Sequence, residues 1–501
     1  MEEVKNRRVA ITWLESWRSL RFVLFVAGLL VAAIGFRLLW DRFLDPFEDG
    51  YQNWWIASSF VETGVYTDRF SQMTRGNWLP GYEFFAAGVV AFFGSHIMPL
   101  LKVANIIFSL GTTGIVYLLA RPRGQATAAL AAFLFALNPA DIVISSFATP
   151  EALTLLAAFS GVYLIERRPF GDRRSFPLAA TAFLAAATLR YEAWGFVGLY
   201  LAWSVGRKSI TPRSLAIIAG PTVGFVTCWF LWTSQFGFLP SMIVAQTSTD
   251  VEYKQSIGAL APVFDRLASF FGWYLSWAPL AVVAVGWAVM RERKSAFTGI
   301  IALFYGAEIA YTVVGFGNPS PRYIHLTVPI VCVYSASALA VVGEGLRRTV
   351  ARFRTLVRLA PTIATVAISL VLAVQVANPS PTPGFMLSGM QRAGSYLSAL
   401  PLPNGKILIS ESPIASYFSG YPASRILGSS NLPTDQANAS AYILETAAFV
   451  LMVTVPYYRL RILFPDQANG ANGFHLVLLY DATGVEYEYG APRVLVFAVV
   501  P

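Results

Sequence analysis

The sequence predicts an all-α polytopic membrane domain with about eleven transmembrane helices, followed by a small C-terminal α/β domain. Three observations lead to this fold class. Hydrophobic residues make up 55% of the 501-residue chain and charged residues only 13%, about half the charged share of a soluble domain. Apolar runs long enough to cross a bilayer recur up to residue 378. Beyond a proline-rich segment, the apolar runs become short and strand-like.

The apolar runs predict the membrane-spanning helices one by one. They lie at 22–40, 98–120, 125–141, 152–165, 177–190, 192–206, 214–235, 268–290, 297–316, 323–343 and 360–378. The first run follows the basic segment "KNRR" and is too long for the core of a signal peptide. We therefore expect it to remain in the protein as an anchor.

Basic residues are concentrated in the N-terminal segment and in every second loop. Most of the 37 lysine and arginine residues fall there if the apolar run at 81–95 lies in the membrane interface instead of crossing it. Because positive loops stay in the cytoplasm, we expect a multi-pass protein of the cell membrane with a cytoplasmic N-terminus. The same loops account for the net charge of +9, so we expect contact with membrane lipid and none with nucleic acid.

The chain changes character near residue 378, which predicts a transmembrane domain at 1–378 and an extracytoplasmic domain at 379–501. The segment "NPSPTPG" has the composition of a linker. Four strand-like runs follow it, separated by turn-rich and amphipathic segments; these runs lie at 406–410, 447–455, 474–482 and 493–500. This pattern is typical of a small α/β domain.

The first outer loop carries three acidic residues directly before two predicted interfacial helices. Asp45, Glu48 and Asp49 precede a helix at 51–64, and a second helix is expected at 77–94. A helix dipole favours an acid in the first turn, which explains one or two of these acids but not three within five residues. The residues expected to lie at the headgroup boundary are Trp54, Trp55, Ile56 and Phe60.

Ionisable residues also lie at the predicted outer ends of later spans. Placing a charge at membrane depth costs free energy, so such residues usually have a function. These residues are Glu151, Arg190, Glu192, Arg322 and His325. Two simpler interpretations remain open. Arg190 and Glu151 could pair only to hold two helices together, and Arg322 could be a snorkelling residue at the interface.

Several short motifs resemble those of a known superfamily. The segments are "FEDGYQNWWIA", "LPGYEFF", "YLLARPRG", "ATPEAL" and "SPRYIHLTVPI". Together with the order of the elements, they resemble the GT-C superfamily of membrane glycosyltransferases. Within it, the chain looks most like the bacterial and archaeal relatives of dolichyl-phosphate-mannose protein mannosyltransferases and aminoarabinose transferases. The tryptophan-rich "WWDYG"-type signature of the oligosaccharyltransferase branch is missing from the sequence.

The sequence departs from the pattern of these relatives at two places. The acidic pair reads Glu48-Asp49, where relatives often have Asp before Glu, so either carboxylate could be the catalytic one. The His-Pro that precedes the second interfacial helix is replaced by "NWLP" at 77–80. This second difference bears on how the acceptor binds.

The resemblance implies a glycosyltransferase that moves a sugar from a polyprenyl-phosphate donor to a hydroxyl of a protein, lipid or glycan acceptor. The residues fit this chemistry, because transfer needs a carboxylate to deprotonate the acceptor and cations to stabilise the departing phosphate. The expected catalytic acids are Asp49, Glu48 and Asp45, in that order. The expected donor phosphate-binding residues are Arg322, Tyr323, Arg190 and Arg75. The expected substrate-binding residues are Glu151, Tyr191, Glu192, His325 and Tyr51. A single displacement would invert the anomeric configuration.

Two other classes of function compete with this hypothesis. A secondary transporter or lipid flippase would also place charges within the membrane, but it would typically show paired repeats or broken helices in two halves, and the sequence shows neither. A non-catalytic scaffold is the third interpretation. We expect no cofactor, because the three histidines are scattered, although the outer carboxylates could hold a divalent metal ion.

Overall fold

The computed structural model describes most of the chain, and the statements below concern this part alone. The described residues are 27–39, 49–66, 79–169, 171–234, 262–268, 270, 281–293, 295–314, 321–349, 384–454, 459–467, 470, 475–482 and 493–500. Several predictions lie outside them. These are the roles of Asp45, Glu48 and Arg75, the span at 360–378, and the domain boundary at 378.

Besides a helical stretch at 263–268, the first 349 residues contribute fourteen described helices. They are α1 (Ala27–Leu39), α2 (Asp49–Thr63), α3 (Pro80–Phe93), α4 (Met98–Ala120), α5 (Gln125–Ala136), α6 (Pro139–Ser145), α7 (Glu151–Arg167), α8 (Asp172–Leu189), α9 (Glu192–Gly206), α10 (Pro212–Ser234), α11 (Ala281–Arg291), α12 (Ala296–Val314), α13 (Pro321–Ile324) and α14 (Val328–Thr349). Every predicted span that falls in the described part overlaps one of them.

The helices identify a membrane protein. Within the described residues, four helical stretches are long and apolar enough to cross a bilayer, and α5 and α6 would form a fifth span, bent by 52°. The four stretches are Met98–Arg123, Pro212–Ser234, Ala296–Val314 and Arg322–Glu344. The bend has a local cause, because Asn138 caps α6 through its side chain and Pro139 cannot continue α5. The total of eleven spans stays a prediction.

The apolar run at 81–95 forms a helix, α3, that packs closely against the end of α8. A side chain at Gly81 would place its Cβ 2.6 Å from the hydroxyl oxygen of Thr188, so only glycine allows this approach. Phe84, Phe92 and Phe93 on the same helix are exposed. This contact fixes the chain directly before Arg190, which the sequence predicts to be a site residue.

The C-terminal part is a five-stranded mixed sheet with helices. Its strands are β1 (Ile407–Ser410), β2 (Ile426–Gly428), β3 (Ala447–Val453), β4 (Leu476–Asp481) and β5 (Val494–Val499), in the order β2-β1-β3-β5-β4. β1 pairs in parallel with β2 and β3, whereas β5 pairs antiparallel to β3 and β4. The helices of this part are α15 (Gly384–Ser398), α16 (Pro413–Ser419), α17 (Gln436–Thr446) and α18 (Arg459–Leu463). All four predicted strands are present, and β2 was not predicted.

Both faces of this sheet are covered. One face shares a hydrophobic core with α2, α3, α15 and α16, whereas the other packs on α17 and α18. This is the expected burial for parallel strands, whose crossover helices cover the sheet. The C-terminal part therefore rests on the helix that begins at Asp49, through α16 and the turn at Ala423–Arg425.

The prediction that the aromatic residues of α2 face the lipid headgroups is wrong for the two tryptophans. Trp54 and Trp55 are 2% and 1% exposed. Trp54 meets the ring of Tyr417 at 5.0 Å, and Trp55 Nε1 donates to the carbonyl of Ala423 at 3.1 Å. Ile56 is buried as well. The sequence pattern of an interfacial helix is the same whether lipid or a second protein layer covers its apolar residues. Here α16 and the turn at Ala423–Arg425 of the C-terminal part cover them.

Candidate active site

Five charged side chains meet where several helices begin or end at one end of the helical bundle. Asp49, Glu151 and Glu192 are the first residues of α2, α7 and α9. Each carboxylate lies in the first turn of its helix, where the dipole and the free N–H groups favour a negative charge. Arg190 directly follows α8 in an extended conformation, and Arg322 lies in the short helix α13. Helix ends thus determine the position of all five.

The five side chains form one chain of ion pairs in which acids and arginines alternate. Arg322 pairs through Nη1 with Asp49 and through Nε with Glu151 Oε1 at 2.8 Å. The same Glu151 oxygen accepts from Arg190 Nη1 at 2.9 Å. Arg190 also donates through Nε to Glu192 Oε2 at 3.0 Å. Glu151 is therefore the carboxylate that joins the two arginines.

The burial of this ion network decreases from its middle to its ends. Glu151 is 2% exposed, Arg322 and Arg190 are 10% and 12% exposed, and Asp49 and Glu192 are 21% and 24% exposed. A carboxylate as buried as Glu151 is stable only when cations compensate it, and both arginines do so. Asp49 and Glu192, at the accessible ends, can exchange a protein partner for a ligand at a much smaller cost in free energy, because water can solvate their charges.

The remaining predicted site residues lie at different distances from the ion network. Tyr191 lies between Arg190 and Glu192 in sequence, and its hydroxyl accepts from Trp229 Nε1 at 3.1 Å. Tyr323 follows Arg322 and is 44% exposed. Tyr51 instead packs on Tyr417, with ring centroids 5.4 Å apart, in the core beneath the C-terminal sheet. The structure thus gives Tyr51 a packing position.

His325 lies in a second, fully buried cluster. Its Nε2 lies 3.1 Å from Asp141 Oδ1, and Asp141 also pairs with Arg37 of α1. Arg37 and Asp141 are 0% exposed, and His325 is 2% exposed. Sequence reasoning missed this cluster. The signal was available, because Arg37 is the one charged residue within the predicted span 22–40, and such residues need a partner.

The carboxylates of the ion network are paired with arginine side chains. Within the described part of the chain, no group of three histidine, cysteine, aspartate or glutamate side chains could hold a metal. Arg322 and Arg190 instead contact Asp49, Glu151 and Glu192 directly. Guanidinium groups paired in this way are well suited to bind phosphate oxygens, which offer the same planar pair of acceptors as a carboxylate.

Comparison with known proteins identifies the fold. No family model and no curated protein matches the sequence, but solved structures do. The aminoarabinose transferase ArnT from Cupriavidus metallidurans in the apo state is 16% identical, with a TM-score of 0.61 over 96% of this chain and 98% of that chain. Both ArnT and the oligosaccharyltransferase described next are GT-C glycosyltransferases. The chain has the GT-C fold.

Two further structures share the GT-C fold. ArnT from the same organism bound to undecaprenyl phosphate gives a TM-score of 0.60 at 16% identity, over 95% of this chain and 98% of that chain. The archaeal oligosaccharyltransferase AglB from Archaeoglobus fulgidus, in complex with an inhibitory peptide and a dolichol-phosphate, gives 0.51 at 12% identity, over 89% and 71%. The fold expected from the sequence motifs is therefore confirmed. The ArnT likeness spans both chains almost completely, including the C-terminal sheet.

Proposed function

We propose that this protein is an integral-membrane glycosyltransferase that moves a sugar from a polyprenyl-phosphate donor to an acceptor hydroxyl. The observation that carries the proposal is the position of Arg322, which bridges Asp49 and Glu151 at an accessible end of the helical bundle. The fold supports it, because structures of the same fold are those of ArnT bound to undecaprenyl phosphate and AglB with a dolichol-phosphate.

The proposed donor site is the guanidinium of Arg322. The sugar and the polyprenyl chain share one phosphate, a diester with a single negative charge. Arg322 would hold its free oxygens in a bidentate way, and Arg190, which shares Glu151 with Arg322, would add a second positive charge nearby. Tyr323 is exposed beside Arg322 and can donate its hydroxyl to the same phosphate. Arg75 remains a further predicted phosphate contact.

The proposed reaction is a single displacement at the anomeric carbon. The acceptor oxygen forms a bond to that carbon while the bond from the carbon to the phosphate oxygen breaks. The leaving polyprenyl phosphate takes the electron pair and gains a negative charge, which Arg322 stabilises. The proton of the acceptor hydroxyl passes to Asp49 as general base. Attack opposite the leaving group inverts the configuration at the anomeric carbon.

Donor binding would also prepare Asp49 for this role. In the structure, Asp49 is paired with Arg322, so its carboxylate oxygen is occupied by the guanidinium and not by an acceptor hydroxyl. A phosphate that takes over the Arg322 donors releases Asp49 toward the acceptor hydroxyl. Glu151 keeps its contacts to both arginines and holds them in place. Base activation and donor binding would then be one event.

The phosphate role of Arg322 can be tested in a release assay on purified full-length protein. The substrates are a panel of undecaprenyl-phosphate hexoses with a hydroxyl acceptor, and the readout is undecaprenyl phosphate released per folded molecule. We expect Arg322→Lys to lower release at least about tenfold, because lysine keeps the charge but loses the planar fork. Arg173→Lys, an exposed arginine in α8, is the matched control and should leave release unchanged. Normal release by Arg322→Ala would refute the assignment.

The proposed orientation places the ion network on the outer face of the cell membrane, as the positive loops predict. Cysteines introduced at exposed positions of a Cys228→Ser protein test this in intact cells. Thr63→Cys lies at the end of α2, and Arg121→Cys directly follows α4. A membrane-impermeant thiol reagent should label the first and spare the second. The opposite pattern would invert the topology and place the reaction on the cytoplasmic face.

A further inference from the structure

A cavity of about 500 Å³ lies at the end of the helical bundle away from the ion network. Arg167, at the C-terminal end of α7, and Arg207, directly after α9, line it, whereas Glu151 and Glu192 begin these two helices. The 17 residues of α7 place its ends about 24 Å apart at a rise of 1.5 Å per residue. The cavity is therefore separate from the candidate active site.

The charged residues that line this cavity are exposed or half-buried and are mostly arginines. They are Arg123, Arg167, Arg207, Arg291, Glu166 and Glu292. Glu292 pairs with Arg123 at 2.9 Å, and Glu166 accepts from the hydroxyl of Tyr200 at 3.0 Å. Within the described residues, neither Arg207 nor Arg291 has a carboxylate partner. Arg167 donates to the carbonyl of Leu119, so among the described residues the mouth of the cavity presents three guanidinium groups without a carboxylate partner.

The guanidinium of Arg207 stacks on the ring of Trp203, which holds it in place. The guanidinium carbon lies 4.3 Å from the ring centroid of Trp203, which also lines the cavity. A guanidinium stacked on an aromatic ring keeps its in-plane N–H donors available for an anion. The helix dipole explains why arginines occur at the ends of α7, α9 and α11. It does not explain why three such helix ends surround one cavity.

The interior of the cavity combines a cluster of apolar side chains with two hydroxyl groups, those of the buried Tyr334 and the half-buried Ser295. The buried and half-buried apolar lining residues are Val116, Leu119, Phe159, Phe297, Ile330 and Val333. A cavity that joins uncompensated guanidinium groups to a cluster of apolar side chains matches a molecule with a phosphate at one end and a hydrocarbon chain at the other. Basic pockets between membrane helices bind anionic lipid headgroups in this manner. A small phosphate ester would satisfy only the charged part.

We propose that this cavity binds a phosphate-bearing membrane lipid of net negative charge, with the phosphate on Arg207 and Arg291 and part of one chain between α4, α7 and α14. The lipid would tie together helices whose other ends carry Glu151, Glu192 and Arg322. The site goes beyond the proposed transferase activity, because it uses none of the residues of the ion network and lies at the other end of the same helices.

Native mass spectrometry of the detergent-purified full chain tests the proposal. The protein is titrated with phosphatidylglycerol, with phosphatidylcholine, and with inorganic phosphate as a competitor. We expect the double variant Arg207→Gln/Arg291→Gln to weaken phosphatidylglycerol binding at least about tenfold, since it loses two charged hydrogen-bond donors. The matched control Arg173→Gln/Arg213→Gln changes two exposed arginines outside the cavity and should bind normally. If the double variant does not fold, Arg291→Gln alone at the exposed end of α11 replaces it.

A second variant separates a lipid from a soluble phosphate. Val333→Phe fills part of the interior and should weaken phosphatidylglycerol binding, while inorganic phosphate at the same concentration should displace little of it. Three results would each overturn the proposal: equal binding of phosphatidylglycerol and phosphatidylcholine, equal binding by the double variant and its control, or full displacement by inorganic phosphate with no effect of Val333→Phe. The last would assign the arginines to a soluble phosphate ester instead.

Discussion

Two clusters of arginine and carboxylate side chains meet in the short segment from Pro321 to Thr327, and they differ mainly in burial. Arg322 belongs to the ion network with Asp49, whose side chain is 21% exposed. His325, three residues later, belongs to the cluster of Arg37 and Asp141, which are both 0% exposed. Similar charged groups are therefore accessible to a ligand in the ion network, as the proposed function requires, and closed to one in the buried cluster.

The buried cluster is saturated by protein partners. Arg37 donates to Ser145, Ser109 and Asp141, and to two carbonyls, those of Ala33 and Ala136. These contacts use all five N–H donors of a guanidinium, so Arg37 has none left for a ligand. The cluster joins α1 to α6 and to the segment that carries Arg322. We therefore expect this cluster to position the ion network.

The largest expected effect concerns the accessible cluster. Asp49→Asn keeps the shape of the side chain but removes the base, so we expect release per folded molecule to fall by about 10²- to 10⁴-fold. The thermal unfolding midpoint should change far less than in a fully buried pair, because Asp49 is partly exposed and Arg322 keeps its ion pair with Glu151. The release assay described above measures the first quantity and a thermal melt the second. Near-normal release would move the base assignment to Glu48 or Asp45, and normal release in all three single variants would favour the transporter or scaffold function.

The opposite pattern is expected for the buried cluster. Asp141→Asn leaves Arg37 buried without a counter-charge, which typically destabilises a protein by about 3–5 kcal/mol. We expect a large drop in the thermal unfolding midpoint, whereas release per folded molecule should fall far less than in Asp49→Asn. Asp172→Asn is the matched control, because it breaks an exposed pair with Arg168 and should cost about 0–1 kcal/mol. Equal midpoints for Asp141→Asn and its control would mean that burial does not separate the two clusters.

A third buried acid sharpens the comparison, because its partners among the described residues are uncharged. Glu411 in the C-terminal part accepts from the backbone N–H groups of Val453 and Leu460 and from the hydroxyl of Ser429. Burial raises its pKa to about 8, and these hydrogen bonds oppose the shift only in part. The folded state therefore binds a proton that the unfolded state releases at a lower pH.

The sign of the resulting pH dependence follows directly. Between about pH 4.5 and 8 the folded state holds more protons than the unfolded state, so the stabilisation from Glu411 is lost as pH rises through this window. We expect the opening free energy of β3 to fall with pH by up to about 1.4 kcal/mol per unit. Hydrogen exchange of β3 amides, corrected for intrinsic rates, measures it. Glu411→Gln should flatten the slope, and an unchanged slope in that variant would rule Glu411 out as its source.

The smallest expected effect concerns an exposed acid with backbone partners. The Glu62 carboxylate, near the end of α2, accepts from the backbone N–H groups of Ala423 and Ser424, at 3.2 and 2.8 Å. We expect Glu62→Gln to weaken the docking of the C-terminal sheet by about 1 kcal/mol. Limited proteolysis between α14 and α15 reports the docking. Glu445→Gln, another exposed glutamate of the C-terminal part, serves as control, and identical cleavage rates would show that Glu62 does not hold the sheet.

The sequence predicted which residues would gather at the candidate active site better than it predicted how they pair. In the sequence, acids at helix starts and arginines at helix ends appear as charges that interrupt apolar runs. The predicted topology then places Asp49, Glu151, Arg190 and Arg322 at the same end of the helical bundle. The central position of Glu151 between the two arginines could not be predicted, because it depends on the relative heights of α2, α7 and α13. Those heights are set by packing between helices and leave no mark in the local sequence.

The errors and omissions have physical causes as well. Trp54 and Trp55 belong to a helix whose apolar side suits lipid and protein equally, so the C-terminal part above them was not predictable from α2 alone. β2 has only three residues, too few to show an alternating pattern. The arginines of the cavity were predicted as charges of cytoplasmic loops. The cavity itself lies between helices and forms only when the helical bundle assembles, so the sequence could not predict it.

The exchange of Asp49 for a phosphate on Arg322 is the central claim, and one structure tests it most directly. The full chain would be determined by electron cryo-microscopy with undecaprenyl phosphate bound. We predict that the phosphate oxygens lie within hydrogen-bond distance of the Arg322 guanidinium and that the Asp49 carboxylate no longer pairs with it. A phosphate bound elsewhere, with the pair between Arg322 and Asp49 intact, would contradict the account.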